Sequence, residues 1–409
     1  MEWAGDGSRS EGGGVLSRGT SQTGVRLYNE RLVLSLVRRH GAIPKAEIAR
    51  RTGLSAQTVS VIVRQLEADA LLKRETPQRG KVGQPLVPFT LNPEGAYAIG
   101  LKVGRRSADL VLLDLTGRIC RTLHRPYSYP VPHAILDFAA DGVKLLSQDL
   151  SREQARRIAG LGIAAPFELW NWAEAVGAPP GALDVWRDVD LGAELAARTG
   201  LPVHYCNDAT AACAAELLFG EGRAHHDYAY FYVGFFIGGG IVINGGLHQG
   251  RGGNAGALGS LLVPAQEGGA RQLILSASLS GLEAALRDAG LDPTVIRRSP
   301  DDWAEAGAVL DGWIATAAGS LACAAASVAA VIEPQAVIID GAMPADVRRR
   351  LVEATRAALS RLPLLGITRF AIEEGTIGSE ARAVGAASLV LLANFIIDRD
   401  VLFKDLSGS

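Results

Sequence analysis

The residues best suited to a defined chemistry lie close together, between positions 55 and 64. Gln57 and Arg64 have side chains that can form two hydrogen bonds with one base, Gln with adenine and Arg with guanine. Small residues beside them would let a helix approach base edges. We therefore expect a DNA-binding surface of five residues, namely Ser55, Gln57, Thr58, Ser60 and Arg64.

Three short predicted helices would position this surface. The first is capped by Asn29 and ends at Gly41, and the second runs from Pro44 to Gly53. Ser55 caps the third, whose apolar residues recur on one inner face, at Val59, Ile62, Val63 and Leu66. The tight turn between the last two helices is typical of a helix-turn-helix, whose second helix enters the major groove.

A pair of predicted strands follows, over residues 71–74 and 86–91. The loop between them is rich in Gly, Pro and cations, as in the wing of a winged helix. Arg79 and Lys81 in this loop are expected to contact phosphates or the minor groove. Further positive charge is expected on the flanks, from Arg38, Arg39, Arg50 and Arg51. The alternative is that these faces are ordinary solvated surfaces of a small trihelical domain that binds protein.

The charge distribution separates this front segment from the rest of the chain. Residues 1–90 hold 14 Lys and Arg against 8 Asp and Glu, a net charge of +6. The remainder holds 27 against 35, a net charge of -8. A basic front on an acidic body indicates a nucleic-acid-binding head. Residues 1–25 are rich in Gly and Ser, lack apolar periodicity and are predicted to be a disordered tail.

Several classes of protein are excluded by composition and spacing. The four cysteines show no CxxC spacing, which argues against a zinc finger and against a secreted disulfide framework. The N-terminus has no apolar region typical of a signal peptide. Residues 313–332 lack charge but are mostly small, and we interpret them as a buried helix rather than a membrane span. The chain is therefore expected in the cytoplasm, with no membrane partner.

From about residue 96 the pattern becomes an alternation of strands and helices, with a strand hairpin at the start of each half, which predicts an α/β body. Ordered motifs occur along it: Gly162-Ile-Ala-Ala-Pro166, Asn207-Asp208-Ala209, the glycine-rich run 233–247, the segment 250–260, Ile339-Asp-Gly341 and the segment 378–385. Together they resemble the ROK family (repressors, open reading frames and sugar kinases), specifically its transcriptional regulators. The resemblance covers roughly residues 25–395.

The resemblance implies an actin/sugar-kinase fold of two lobes with a sugar cleft between them. It divides the chain into the tail 1–25, a winged helix-turn-helix over 26–91, a first lobe over 92–215 and a second lobe over 216–378. A C-terminal helix, 379–395, is expected to return to the first lobe.

Both phosphate-binding turns of the family's kinases are altered here. Lys102 stands where the kinases' Asp-x-Gly-Gly-Thr turn has the acid that helps to hold magnesium, and a Lys cannot do so. Phe235 and Phe236 replace the Thr-Gly of the second turn. We therefore predict no catalytic residues, no kinase activity and no cofactor.

The resemblance assigns sugar contacts to Asn207 and Asp208, because Asp accepts hydrogen bonds from sugar hydroxyls and Asn both donates and accepts them. Asp208 could instead cap the helix that begins at Ala209. Gly253 and Asn254 would offer backbone groups to a ligand, although their loop could be a plain tight turn.

Two further family residues are missing. The family's Glu ligand is Ala257 here, so the pocket must differ from that of glucose-type members. Ser260 replaces the His of the family's zinc module, and residues 261–290 contain no Cys, so no metal is expected.

These features predict a transcriptional regulator, a repressor of carbohydrate-uptake or catabolism genes. It would bind a palindromic double-stranded operator as a homodimer or tetramer, under the control of a sugar or sugar derivative in the cleft. The alternative is an ATP-dependent sugar kinase with an accessory DNA-binding head, and Lys102, Phe235 and Phe236 count against it. A third hypothesis is a regulator that is controlled by a partner protein rather than by a sugar. The retained Asn207 and Asp208 count weakly against it, because the resemblance assigns them to sugar binding.

Overall fold

The computed structural model describes residues 22–77, 86–265, 267–298 and 302–397. The first of these segments begins a winged-helix head, whose small sheet has the order β1–β3–β2. The elements of the head are α1 (Gln22–His40), β1 (Ile43–Pro44), α2 (Lys45–Thr52), α3 (Ala56–Ala68), β2 (Leu72–Arg74) and β3 (Pro88–Leu91).

The first helix is longer than expected. The predicted cap at Asn29 is wrong because Asn29 lies inside α1, and residues 22–25, which were assigned to the tail, belong to the same helix. An ion pair one turn apart, between Arg26 and Glu30 at 2.8 Å, favours this longer helix. Packing of α1 against the body adds to it, because the inner residues Val33, Leu34 and Val37 are buried.

The second and third helices agree closely with expectation. Gly53 ends α2 with φ 73°, a conformation that glycine adopts without a steric penalty. The Ser55 hydroxyl accepts a hydrogen bond from the Thr58 N–H at 3.1 Å and so caps α3. The four predicted inner residues of α3 are all buried: Val59, Ile62, Val63 and Leu66.

The body contains two five-stranded sheets of the same topology. The first has the order β6-β5-β4-β7-β8, an antiparallel hairpin pair followed by two parallel strands. Its strands are β4 (Tyr97–Val103), β5 (Ser107–Asp114), β6 (Ile119–Pro126), β7 (Ile158–Ala165) and β8 (Val203–Asn207). The helices of this part are α4 (Pro132–Ser147), α5 (Arg152–Ala155), α6 (Ala173–Val176), α7 (Leu191–Thr199) and α8 (Asp208–Phe219).

The second sheet has the order β11-β10-β9-β14-β15. Its strands are β9 (Tyr228–Val233), β10 (Ile237–Ile243), β11 (Gly246–His248), β14 (Ala336–Gly341) and β15 (Ala371–Glu374), and a separate hairpin is formed by β12 (Leu262–Pro264) and β13 (Ala270–Gln272). The helices are α9 (Leu279–Asp288), α10 (Val295–Arg298), α11 (Gly307–Ile332), α12 (Ala345–Leu359) and α13 (Ala381–Phe395). The repeated topology agrees with the predicted two-lobed α/β body.

The last helix, α13, packs on the first sheet rather than on the second. It contacts α8, β4 and β7. The contact is so close that a Cβ added to Gly162 would lie 1.7 Å from the Ala386 carbonyl oxygen, and one added to Gly385 would lie 1.8 Å from that of Ala211. Glycines at these two positions therefore let backbone pack on backbone.

Head and body share one apolar core. Residues of α1 and α3, among them Val37 and Val63, belong to the same buried cluster as Leu218 of α8 and Leu391 of α13. This continuous packing couples the head mechanically to both body helices.

The helix segment Ala304–Ile332 is long and apolar enough to span a bilayer by length and composition. However, 56% of its most apolar window is buried inside the protein, where α11 packs against α12 and α9. This burial accounts for its apolar composition in the same way as for other core helices.

Candidate functional site

The exposed face of α3 carries the predicted base-reading residues. Gln57 and Arg64 are exposed and Ser60 is half-buried, and no ion pair of Arg64 occurs among the described residues. Val61, on the same face, is 59% exposed, which suits contact with a thymine methyl group. The face is therefore polar with one apolar contact point, and its apolar opposite side holds it on the core.

Two of the predicted contacts have a first role inside the protein. The hydroxyls of Ser55 and Thr58 hydrogen bond to each other at 2.8 Å, in addition to the Ser55 cap. They fix the start of α3, the part that enters the major groove in a helix-turn-helix. Arg79 and Lys81 of the predicted wing lie outside the described residues, so their contacts stay a prediction.

The flanking arginines do not all face outward. Arg38 was expected to add surface charge, but its Nη2 donates to the Leu115 carbonyl of the body at 2.7 Å, and its guanidinium lies 5.4 Å from the Phe219 ring centre. Burial lowers the pKa of Arg38 to about 10. Arg50 and Arg51 both pair with Glu47, whose pKa falls to about 2 through hydrogen bonds from these two guanidinium groups. The expectation for Arg38 is therefore wrong, because α1 packs this side of its helix against the body.

In the body, the turn between β4 and β5 encloses Lys102. The Lys102 Nζ donates to Asp109 Oδ2 at 2.7 Å and to Ser107 Oγ at 2.9 Å. A Cβ at Gly104 would lie 2.6 Å from this Nζ, so the backbone wraps the ammonium group closely. The turn that the resemblance aligns with the kinases' first phosphate site is thus filled by the protein's own cation.

The charge of Lys102 is balanced locally. Burial, and then the neighbouring Arg382, lower the pKa of Lys102, while Asp109 opposes them. Burial acts to raise the pKa of Asp109, but Lys102 and His124 outweigh it and the net shift is downward. Both oxygens of Asp109 are therefore engaged within the protein, Oδ2 by Lys102 and Oδ1 by His124.

The second turn, between β9 and β10, is also closed from within. The Gly234 and Phe235 carbonyl oxygens each accept a hydrogen bond at 3.0 Å, from the Leu279 and Ser280 N–H groups respectively. These donors belong to the first turn of α9, where free N–H groups would otherwise be available to an anion. The turn and the helix end therefore satisfy each other.

An aromatic cage joins the two turns. The Arg105 guanidinium carbon lies 4.0 Å from the ring centre of Phe236, 4.4 Å from that of Trp172 and 5.5 Å from that of Phe235. The rings of Trp172 and Phe236 are 4.4 Å apart. Cation–π contacts of this kind contribute about 0.5–2 kcal/mol each. Arg105 comes from the first sheet and both Phe residues from the second, so the cage connects the lobes.

Asn207 and Asp208 lie at the start of α8 and have separate structural partners. Asn207, not Asp208, caps the helix, because its Oδ1 accepts the Ala209 N–H at 2.9 Å. This answers the capping alternative for Asp208, which is the first residue of the helix and binds Arg382 Nη1 through Oδ2 at 3.2 Å. Both residues keep further hydrogen-bonding capacity for a ligand, the amide NH₂ of Asn207 and the other oxygen of Asp208.

Arg382 is a site residue that the sequence reasoning missed. It lies in α13, it is 174 residues from Asp208 in sequence, and its guanidinium lies 5.1 Å from the Tyr232 ring centre. The segment 378–385 was among the motifs that carry the resemblance, but no role was assigned to its arginine. Only the packing of α13 on α8 brings it to Asp208.

The loop with Gly253 and Asn254 lies beside β10. Gly253 has φ 71° and Asn254 is exposed, while a Cβ at Gly256 would lie 2.8 Å from the Gly240 Cα. No hydrogen bond joins Gly253 or Asn254 to Asn207 or Asp208 within the part of the chain that the structure describes. Their role as ligand contacts stays a prediction. Over the same described residues, no three His, Cys, Asp or Glu side chains cluster closely enough to hold a metal ion.

Comparison with known proteins shows which families this chain is similar to. The profile of the ROK family matches residues 98–392, and that of the MarR family matches residues 28–81. An uncharacterized protein of Sinorhizobium fredii, y4fQ, is 26% identical over 90% of this chain and 91% of its own. The xylose repressor of Bacillus subtilis is also 26% identical, over 59% of this chain, and the match spans 62% of the repressor's length.

Solved structures agree on the fold. The crystal structure of a ROK family transcriptional regulator, a homologue of the Escherichia coli MLC protein, superimposes with a TM-score of 0.66 at 21% identity, covering 93% of this chain and all of the other. A ROK family glucokinase from Streptomyces griseus gives 0.57 at 24% identity and covers 72% of this chain and 99% of its own. The expected resemblance is confirmed: this chain belongs to the ROK family and carries a MarR-like winged-helix head.

Proposed function

We propose that the protein is a DNA-binding transcriptional repressor of genes for carbohydrate uptake or catabolism, controlled by a sugar or sugar derivative in the cleft between the lobes. The observation that carries the proposal is the pairing of an exposed, base-reading α3 face with a kinase-like body whose phosphate turns are closed. Similar proteins include two named xylose repressors and the Escherichia coli dual regulator NagC, which support the same class of function.

Kinase activity is not expected. Lys102 would place a positive charge where transfer of a phosphoryl group needs a magnesium ion. Both turns that correspond to phosphate sites are engaged within the protein. Arg105 of the first turn packs against Phe236 of the second, and the second turn also hydrogen bonds to α9. We therefore assign the body a binding role and not a catalytic one.

Two helices would carry the signal from the cleft to the head. α8 begins at the sugar-binding pair and ends at Leu218 and Phe219, beneath Arg38 of the head. At about 1.5 Å per residue, its 12 residues span about 18 Å. The first turn of α13 places Arg382 beside Asp208. In the last turn of the same helix, the Ala393 carbonyl oxygen accepts a hydrogen bond from Arg31 Nη2 of the head at 2.7 Å.

A sugar that binds Asp208 would compete with Arg382 and shift α8 relative to α13. Because the head shares its core with the far ends of both helices, such a shift would turn the head. In a homodimer this rotation changes the spacing of the two α3 helices, which must match half-sites one DNA turn apart. We propose a homodimer on this basis, and a location in the cytoplasm, where its operator DNA would lie.

The test begins with selection of a high-affinity duplex from a random library, followed by fluorescence anisotropy at fixed salt concentration. A sugar should change the affinity of the full chain for that duplex. Asp208→Asn should abolish this response while it preserves DNA binding, and Asp346→Asn, an exposed carboxylate on α12, should change neither. Sugar-dependent release of ADP from ATP by the wild-type chain would overturn the proposal in favour of a kinase.

A further inference from the structure

Arg105 is a buried cation that forms no ion pair with the residues that the structure describes. It is 9% exposed, and its Nε is inaccessible and lacks a hydrogen-bond acceptor among the described residues. Its three aromatic neighbours contact the guanidinium carbon at 4.0–5.5 Å. Aromatic rings stabilise the faces of a guanidinium plane but do not accept its in-plane N–H bonds. The Nε is closed to a ligand, so the edge formed by Nη1 and Nη2 is the part of the guanidinium that an added acceptor would bind.

The surrounding charges do not supply one. Three cations, Lys102, Arg105 and Arg382, lie near two carboxylates, Asp109 and Asp208. Lys102 pairs with Asp109 at 2.7 Å and Arg382 with Asp208 at 3.2 Å, which leaves Arg105 as the cation of this cluster without an ion pair in the described chain. Burial lowers the pKa of Arg105 to about 9, Asp208 opposes this shift and Arg382 reinforces it. The cluster as a whole carries one excess positive charge.

A guanidinium fork held rigidly by aromatic rings has a specific chemical complement. Its N–H groups match a carboxylate or a phosphate in a two-point contact, which a neutral hydroxyl cannot reproduce. The rings fix the fork in place, so little conformational freedom is lost when the anion binds. Asp208, the predicted contact of sugar hydroxyls, lies in the same charged cluster.

We infer that the effector of this protein is an anionic sugar, a sugar acid or a sugar phosphate, whose charged group binds the Arg105 guanidinium while its hydroxyls bind Asn207 and Asp208. This inference rests on the proposed function, since it names the class of ligand for the same cleft.

The experiment is isothermal titration calorimetry of the full chain. The panel holds glucose, galactose, mannose and N-acetylglucosamine, the 6-carboxylates of the three hexoses, the 6-phosphates of all four sugars, and inorganic phosphate alone. An anionic member should bind at least about tenfold more tightly than its neutral parent. The carboxylate and phosphate arms distinguish the two sources of the anion. Neutral sugars that bind as tightly as their anionic forms would overturn the inference but keep the proposed function, and a panel in which no sugar binds would overturn both.

Variants on one turn provide the matched comparison. Arg105→Met should weaken the binding of the anionic ligand by about 10- to 100-fold and leave the affinity for its neutral parent unchanged. Arg106→Met removes the same charge from an exposed neighbour, which hydrogen bonds Ser128 O at 3.3 Å, and should have no effect. If Arg105→Met fails to fold by circular dichroism, Arg105→Lys decides, because it keeps the charge but loses the two-point fork. Unchanged affinity for the anionic ligand in the variant that is measured would overturn the inference.

Discussion

The contact between α8 and α13 gives the most direct test of the structure. In Gly385→Ala, the new Cβ would lie 1.8 Å from Ala211 O, 2.2 Å from Ala211 C and 2.9 Å from Ala212 N. All three atoms belong to the backbone of α8, so no side chain can move aside. An ordinary contact needs about 3.5 Å, hence the two helices must separate by more than 1 Å or the substituted helix must distort.

Two opposing terms set the magnitude of this effect. Replacing Gly by Ala inside a helix stabilises it by about 1 kcal/mol, because the unfolded chain loses freedom. Forcing a methyl group into a packed interface costs about 1–3 kcal/mol and more where backbone must move. With the closest contact at 1.8 Å we expect the upper end of this cost, and a net destabilisation of about 2 kcal/mol.

The control is Gly319→Ala in the middle of α11, where an added Cβ meets nothing within 4 Å. This variant should be stabilised by up to about 1 kcal/mol. Both are measured by urea unfolding followed by circular dichroism, at one protein concentration. Gly385→Ala should also lose the sugar response of DNA binding, since α8 and α13 join the cleft to the head. A Gly385→Ala protein that is as stable as wild type would refute the close packing of these helices.

Three further predictions concern single residues. Arg64→Ala should weaken binding to the selected duplex by about 1–3 kcal/mol, measured by fluorescence anisotropy. The control is Arg361→Ala, which removes an exposed arginine of the body. Equal losses of affinity in the two variants would contradict a base contact of Arg64. Asp340→Asn should lower the free energy of unfolding in urea by about 3–5 kcal/mol. The reason is that the fully buried Asp340 carboxylate accepts hydrogen bonds from four groups, those of Tyr230, Gly341, Gly378 and Arg348. The control Asp346→Asn, at an exposed position, should change this free energy by less than about 0.5 kcal/mol. The Glu47 carboxyl should titrate with a pKa of about 2 when it is followed by NMR. Its ion pairs with Arg50 and Arg51 should therefore stabilise the head fully above the unfolded-state pKa of about 4.5. This stabilisation should be lost as the pH falls toward 2. A Glu47 midpoint near 4.5 at low salt would show that these ion pairs do not persist in solution.

Sequence patterns predicted helices and strands correctly where the interactions that stabilise them are between residues close in sequence. The cap at Ser55 and the inner face of α3 follow from residues three or four positions apart. The strand hairpin predicted at the start of each half corresponds to β4 and β5 in the first and to β9 and β10 in the second. β6 was not predicted, because it is an exposed edge strand whose residues, such as Arg121, His124 and Arg125, show no apolar alternation.

The errors share a physical cause, which is packing between distant segments. Asn29 looks like a cap in sequence, yet the docking of α1 on the body continues the helix through it. Arg38 looks like a surface cation, yet it donates to Leu115, 77 residues away. Neither outcome is visible in a window of neighbouring residues, because the free energy that decides it comes from contacts with the body.

The sequence by itself determined the basic head, its helix-turn-helix, the two-part α/β body and the residues Lys102, Phe235 and Phe236 at the turns that the resemblance aligns with the kinases' phosphate sites. These follow from residue types and short-range spacing. The tertiary structure decided how the altered turns are used: Lys102 closes one on Asp109, and Arg105 meets Phe236 and Trp172 across the lobes. It also placed Arg382 on Asp208. These partners are far apart along the chain, and only the folded path of the backbone sets the distances on which their electrostatic and cation–π energies depend.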